Sequence, residues 1–211
     1  MIQDYAVIRE SATIAAQAAG SAVDGLNAGR IQGEETFTDR MIGAIEERFR
    51  DLRVKGVSWT ALTLRAHVRN SQETRYGADL MGVLDIHLPD YRMQKGFLAQ
   101  AKLVEPGDSF DTAEWSRLQT QCGRMLAHSP ASFVFLYSRA GIFVVPALSV
   151  LALTQRGNPH VLYKRSVQRF FEEHFECFIG DRAISVPTSE TLDALVETAN
   201  ARRALLLKAV G

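Results

Sequence analysis

The stretch GADLMGVLDI, followed shortly by KGFLAQAKL, carries the residues whose types and spacing could do chemistry. Side chains alternate between the two faces of a strand. Gln100 and Lys102 therefore share a face with Leu98, whereas Phe97, Ala99, Ala101 and Leu103 share the other and suit a helix-covered core. Lysine is rarely buried without a partner, so this Gln-x-Lys needs either an open face or a nearby carboxylate. Asp79 is placed to be that carboxylate, at the start of the preceding strand behind Gly77 and Ala78. Asp85 shares its face by period two, but a separation of six positions spans roughly 20 Å of strand, so one site takes only one of the two. The Gly-Ala before Asp79 marks a strand end and favours it. A third carboxylate comes from the helix that opens after Gly33. At about 100° per residue, Glu34 projects near the centre of the stripe of Met41, Ile42, Ile45 and Phe49, with Glu35 about 80° away as the alternative. A carboxylate on the core side of a first helical turn needs a cation or a donor.

A helix Glu, then a strand Asp, then Gln-x-Lys on the next strand resembles the PD-(D/E)xK nuclease superfamily, the restriction-endonuclease-like fold, in the variant where Gln replaces the second acid. The matching segments are GEETFT (33–38), ETRYGADL (73–80) and LAQAKL (98–103). The pattern is similar to Mrr-type restriction nucleases and to small nuclease-like proteins of bacterial phage defence, and covers roughly half the chain. It implies a metal-dependent endonuclease that hydrolyses phosphodiesters of nucleic acid, DNA being the expected form, possible anti-phage defence being the setting. A divalent cation, Mg²⁺ or Mn²⁺, both neutralises phosphoryl oxygens and generates a nucleophile at neutral pH. Mg²⁺ keeps several waters and needs only one or two carboxylates with an amide or backbone oxygen. The resemblance makes Asp79 the central ligand, Gln100 Oε1 and the Ala101 carbonyl its companions, and Glu34 a direct or water-mediated ligand. Lys102 would position or polarise the attacking water or stabilise charge on the phosphate.

The neutral Gln100 lowers the charge of such a site. It leaves open a nuclease-fold module that binds or assembles without cutting, and an effector subunit whose partner protein supplies the DNA contacts. Double-strand cleavage with this fold takes two sites, which fits a homodimer. Gln121, on the helix after the Gln-x-Lys strand, could face the site or be a surface amide. Glu73 and Tyr76 could touch substrate or form a polar turn. Arg65, Arg69 and Arg75 could meet phosphates or line a solvated strand face.

The elements that must position these residues follow from periodicity. Residues 3–28, rich in Ala and Ser, read as one or two packing helices, and residues 33–52 as a helix with Thr38, Met41, Ile42, Ile45, Phe49 and Leu52 along one side. Val57–Val68 reads as a strand, Asn70–Gly77 as a turn, and Asp79–Leu88 and Phe97–Val104 as strands joined by the loop LPDYRMQKG. Asp111–His128 reads as a helix, Ser132–Tyr137 and Gly141–Val145 as a hairpin, and 148–154, 164–177 and 188–209 as helices. Phe170, Phe171, Phe175 and Phe178 look like core or interface. The fold class is α/β, a mixed sheet flanked by helices, in one domain with a core over 33–146, a helical extension at 1–32 and another at 147–211.

Composition agrees with a globular chain. Of 211 residues 46% are apolar and 23% charged, enough to build a core and too ordered for a low-complexity tail. The 24 basic and 24 acidic residues cancel, so any polyanion site must be a local groove. Cys122 and Cys177 have no metal spacing, the five histidines are scattered, and MIQDYAVIRE has no basic start leading into an apolar run. The longest uncharged stretch, Ala140–Gln155, is broken by Gly141 and Pro146 and falls short of the roughly 20 residues of a membrane helix. The expectation from these features is a reduced cytoplasmic protein with no membrane span. Phosphate-loop, dinucleotide and hydrolase-elbow motifs are missing from the sequence.

Overall fold

A computed structural model describes residues 2, 4–65, 78–185 and 201–211. Its elements run α1 (Tyr5–Asn27), α2 (Glu34–Phe49), β1 (Leu52–Val54), β2 (Val57–Arg65), β3 (Leu80–Leu88), β4 (Tyr91–Leu103), α3 (Thr112–His128), β5 (Ser132–Ser138), β6 (Gly141–Pro146), α4 (Ala147–Ala152), β7 (Arg165–Ser166), α5 (Val167–Phe175) and β8 (Arg203–Val210). The strands form one mixed eight-stranded sheet in the order β1-β2-β8-β3-β4-β5-β6-β7. The fold is α/β, with helices on both faces of the sheet.

The alternation read in the sequence sorts the layers. Phe97, Ala99 and Ala101 pack with Leu80, Leu84, Phe133 and Phe135 under α1, α2 and α5. Leu98 packs with Met81, Val83, Val134 and Leu136 under α3 and α4. Phe97 centres the first layer, with Phe170 edge-on at 4.9 Å and His174 at 5.1 Å. Across the β3–β4 ladder it faces Gly82, where any Cβ would run into its ring. The parallel pair β4–β5 needs a crossover, and α3 supplies it. Its start is fixed by Asp111, whose Oδ1 accepts the Glu114 N–H at 2.7 Å while the Glu114 carboxylate reaches back to the Asp111 N–H at 3.4 Å, a capping box.

Several sequence expectations change. The helix expected over 188–209 is, in its described part, the strand β8, inserted antiparallel to β2 and parallel to β3. Among the described residues the C-terminal extension is α-helical in α4 and α5, with one 3-10 turn at Pro159–Val161, and the chain returns to the middle of the sheet. ALLLKAV is rich in helix formers, but a short apolar run fits either state, and the open slot between β2 and β3 decides it. The segment LPDYRMQKG is mostly strand, since β4 begins at Tyr91 and pairs along the whole of β3, leaving Pro89 and Asp90 as the turn. Its polar character reflects partial exposure at that end of β4. Leu52 ends up in the short strand β1, beyond the end of α2. Phe178 is 75% exposed and does not join Phe170, Phe171 and Phe175 in the core. The turn at 70–77 and residues 66–69 lie outside the described residues. No helix among the described residues is long and apolar enough to cross a membrane.

Candidate functional site

The site is built by a difference in strand length. β3 starts at Leu80, opposite Ala99, and the Asp79 N–H closes that ladder on the Ala99 carbonyl at 2.9 Å. β4 runs on to Leu103. On either side of this overhang Leu98 N–H and Val104 N–H donate toward β5, to the Ala131 and Tyr137 carbonyls, so the alternating Ala101 and Leu103 point toward the edge that β3 has vacated. A buried N–H there requires an acceptor. Asp79 Oδ2 takes the Ala101 N–H at 3.0 Å, and Glu34 Oε1 takes the Leu103 N–H at 3.1 Å. The two carboxylates are thereby pinned on successive edge positions of one strand.

Gln100 and Lys102 rise from the same overhang on the α3 side. Gln100, 2% exposed, donates through Nε2 to Asp79 Oδ2 and more weakly to the Ala101 carbonyl at 3.3 Å. Its Oε1 is buried without a partner. Lys102 Nζ lies 3.5 Å from Glu34 Oε2. All four of the strongest sequence candidates, Glu34, Asp79, Gln100 and Lys102, thus line one cleft of about 460 Å³, together with the Ala101 backbone and Gln121. A second cleft of about 590 Å³ adjoins it across Glu34, Lys102 and Arg117.

Glu34 is the acid that reaches the strand, whereas Glu35 pairs with Arg202. Asp85 stands apart, with His87 Nε2 2.8 Å from its Oδ1. Glu73, Tyr76, Arg69 and Arg75 lie outside the described residues, as does the Arg65 side chain. The sequence reading missed Arg117, Arg202 and Arg203. Arg203, 8% exposed, binds both oxygens of Asp39. Arg202 and Arg203 sit at the entry of β8, level with Asp79, because Arg203 pairs with Leu80; a segment read as helix hid them. Beneath the site Thr38 Oγ1 bonds the Glu34 carbonyl at 2.8 Å and meets the Tyr137 hydroxyl at 3.0 Å.

Burial pushes the Asp79 carboxyl above its ordinary value, and the Ala101 N–H, Lys102, Arg202 and Arg203 offset only part of that push. Burial likewise raises the Tyr137 phenol and pushes the Cys122 thiol up to about 12, although Lys102 acts against it. Asp79 is thus a carboxylate short of positive charge.

Among the described residues no group of three or more His, Cys, Asp or Glu side chains could hold a metal ion. The donors at hand are two carboxylates, a side-chain amide and a backbone carbonyl. Both bonds of Asp79 use Oδ2, and the Gln100 oxygen is orphaned. An all-oxygen set of this kind fits a hard divalent cation that keeps part of its water.

Comparison with protein-family models, with curated proteins and with solved structures found no match to this chain.

Proposed function

We propose that the chain is a metal-dependent nuclease of the PD-(D/E)xK type, acting on phosphodiester bonds of nucleic acid, DNA in the first instance. One observation carries the reading: Glu34, Asp79, Gln100 and Lys102, from a helix and two strands, converge on the free edge of β4 beside a cleft. The order α2, β1, β2, β3, β4, α3, β5 is compatible with the helix, three strands, helix, strand of that superfamily, with the short β1 added at the sheet edge and β8 inserted in the sheet between β2 and β3.

Asp79, Gln100 Oε1, the Ala101 carbonyl and, directly or through water, Glu34 would hold Mg²⁺ or Mn²⁺. Such a cation would neutralise charge on the phosphoryl oxygens and lower the pKa of water. Asp79, already short of positive charge, gains most from a cation. Lys102, tethered by Glu34, keeps donors free to orient water or to hold a phosphoryl oxygen as charge builds there. Arg117 stands where the two clefts join and can take a flanking phosphate.

The alternative, a binding module that does not cut or a subunit that borrows DNA contacts from a partner, is favoured by one feature: without an ion, Lys102 is already paired with Glu34 and Gln100 with Asp79. Incubating the full chain with plasmid and single-stranded substrates in Mg²⁺, Mn²⁺ or EDTA separates these readings. Cutting that needs metal and is lost in Asp79→Ala and Lys102→Ala, with metal binding lost only in the first, supports the nuclease. Binding without cutting supports the module. Normal cutting by Lys102→Ala overturns the assignment of that residue. A homodimer, a cytoplasmic location and a role in phage defence belong to this proposal.

A further inference from the structure

Two amide oxygens at the cleft are buried and without a hydrogen-bond partner, Gln100 Oε1 and Gln121 Oε1. Both are acceptors, so in this arrangement they cannot satisfy each other. Gln100 turns its donor end toward Asp79 and the Ala101 carbonyl, the side on which a cation would require its acceptor end. Gln121 lies on α3 next to Cys122, which packs with Leu98 on the α3 side of the sheet. Gln100 occupies that face too, and the two glutamines line the same cleft. The two ends of an amide are nearly isosteric, so a half-turn about the terminal bond exchanges donor and acceptor while leaving the rest of the side chain in place.

We propose that Gln121 is a positioning residue for Gln100: its side-chain oxygen accepts a hydrogen bond from Gln100 Nε2 when Gln100 turns its own oxygen toward a divalent cation at Asp79. The inference rests on the metal-dependent reading above. The half-turn satisfies both orphaned oxygens at once, one through the cation and the other through the amide hydrogen. It also removes an amide donor from the space between Asp79 and the Ala101 carbonyl, where positive charge is to sit. Gln suits position 121 because its amide oxygen can accept from Gln100 Nε2 in the loaded arrangement without bringing a buried charge. Leu at 121 could not accept that bond, whereas Glu could.

The test is titration of Mn²⁺ into the full chain by calorimetry without nucleic acid, so that affinity is read apart from turnover. Gln121→Leu is expected to bind Mn²⁺ about tenfold or more weakly, the usual consequence of losing a residue that orients a ligand. Gln121→Glu, which keeps the acceptor, is expected to bind at least as tightly as the wild type. A carboxylate at position 100 presents an acceptor whichever way it turns, so in a Gln100→Glu background Gln121→Leu should leave affinity unchanged. The side-chain amide resonances of Gln100 should shift with Mg²⁺ in the wild type and less in Gln121→Leu. Where Gln121→Leu fails to fold, Gln121→Met, of similar length, replaces it. Equal affinity in wild type and Gln121→Leu overturns the inference and leaves the nuclease reading standing. Equal weakening in the Gln100→Glu background also overturns it, because it marks a merely structural role. A wild-type chain that binds no Mn²⁺ overturns the metal-dependent reading itself, and this inference with it.

Discussion

The Glu34 carboxylate meets the Lys102 ammonium at 3.5 Å, although α2, which carries Glu34, covers one face of the sheet and the Lys102 side chain leaves β4 on the other. Only at the end of a strand can groups from two faces meet. The overhang of β4 beyond β3 provides that end, and it leaves backbone donors that draw in the carboxylates. Unequal strand length therefore supplies both the place of the site and the means of holding Glu34 and Asp79 in it.

Asp79→Asn separates the energetics of folding from those of ion binding. The Asp79 pKa is raised in the fold. The stability this shift contributes is present below the ordinary carboxylate range, near pH 3.9, and is lost as pH rises through the folded value. At neutral pH the ionised group is a burden that Asn lacks, and an Asn oxygen can still accept the Ala101 N–H. In EDTA the variant should unfold at or above the wild-type temperature. Adding Mn²⁺ at a hundred times its Kd should stabilise the wild type by about 2.7 kcal/mol and leave the variant unmoved. Both effects are read by thermal unfolding.

Arg117 is exposed and has no carboxylate partner among the described residues, in contrast to the ion-paired Lys102, Arg202 and Arg203. A cation left unpaired beside a cleft is available to a phosphate. Arg117→Ala should raise KM for a nucleic-acid substrate with little change in kcat. It should also lower the slope of log affinity against log salt by about one, as expected for one lost phosphate contact. An unchanged salt slope would remove Arg117 from the substrate path.

The site was legible where a period of two or of 3.6 carried it. Gln100 and Lys102 stood out as polar residues within an apolar strand, and Glu34 stood out by its angle on α2. Asp79 was legible as a strand-end carboxylate. The arginines at the entry of β8 were not, because nothing local to ALLLKAV announces that it fills a slot between strands more than a hundred residues earlier in the chain. Non-local pairing leaves no short-range pattern, and Ala and Leu argue for helix when read alone. The first half of β4 was obscured for a different reason: its alternation is blurred by polar residues at a partly exposed end, which resembles a loop in composition. Arg117 was missed because an exposed arginine on a helix carries no pattern at all.

The two neighbouring arginines at the entry of β8 should differ in their effect on stability. Arg203 is 10% exposed at its side chain and grips Asp39, 25% exposed, with two nitrogens, whereas Arg202 and Glu35 are 44% and 64% exposed. Removing Arg203 forfeits the two charge-assisted hydrogen bonds of this half-buried pair. Discounting for the exposure of Asp39, Arg203→Ala should lose about 1–3 kcal/mol. Arg202→Ala should lose about 1 kcal/mol or less, the range of surface pairs. Urea unfolding of the two variants at one pH compares them directly.

His174 should make the fold acid-sensitive. It is fully buried between Phe97 and Phe170, and its Nδ1 lies 3.2 Å from the Ile179 carbonyl. Burial, reinforced by the nearby Lys95 charge, pushes its pKa down to about 3. Because the folded value lies below the unfolded one, the unfolded chain binds the extra proton between the two. The neutral imidazole's contribution is therefore complete above about pH 6.5 and declines as pH falls toward 3. Burial lowers His160 as well, with the same sign. One proton taken up on unfolding corresponds to a slope of about 1.4 kcal/mol per pH unit. His174→Phe fits the aromatic layer and has no proton to gain, so the difference between the two chains isolates the histidine from the titrating carboxylates. Between about pH 7 and about pH 4.5 the urea midpoint of the wild type should fall relative to that of His174→Phe. Parallel pH profiles for the two chains would show that His174 does not stay neutral in the fold.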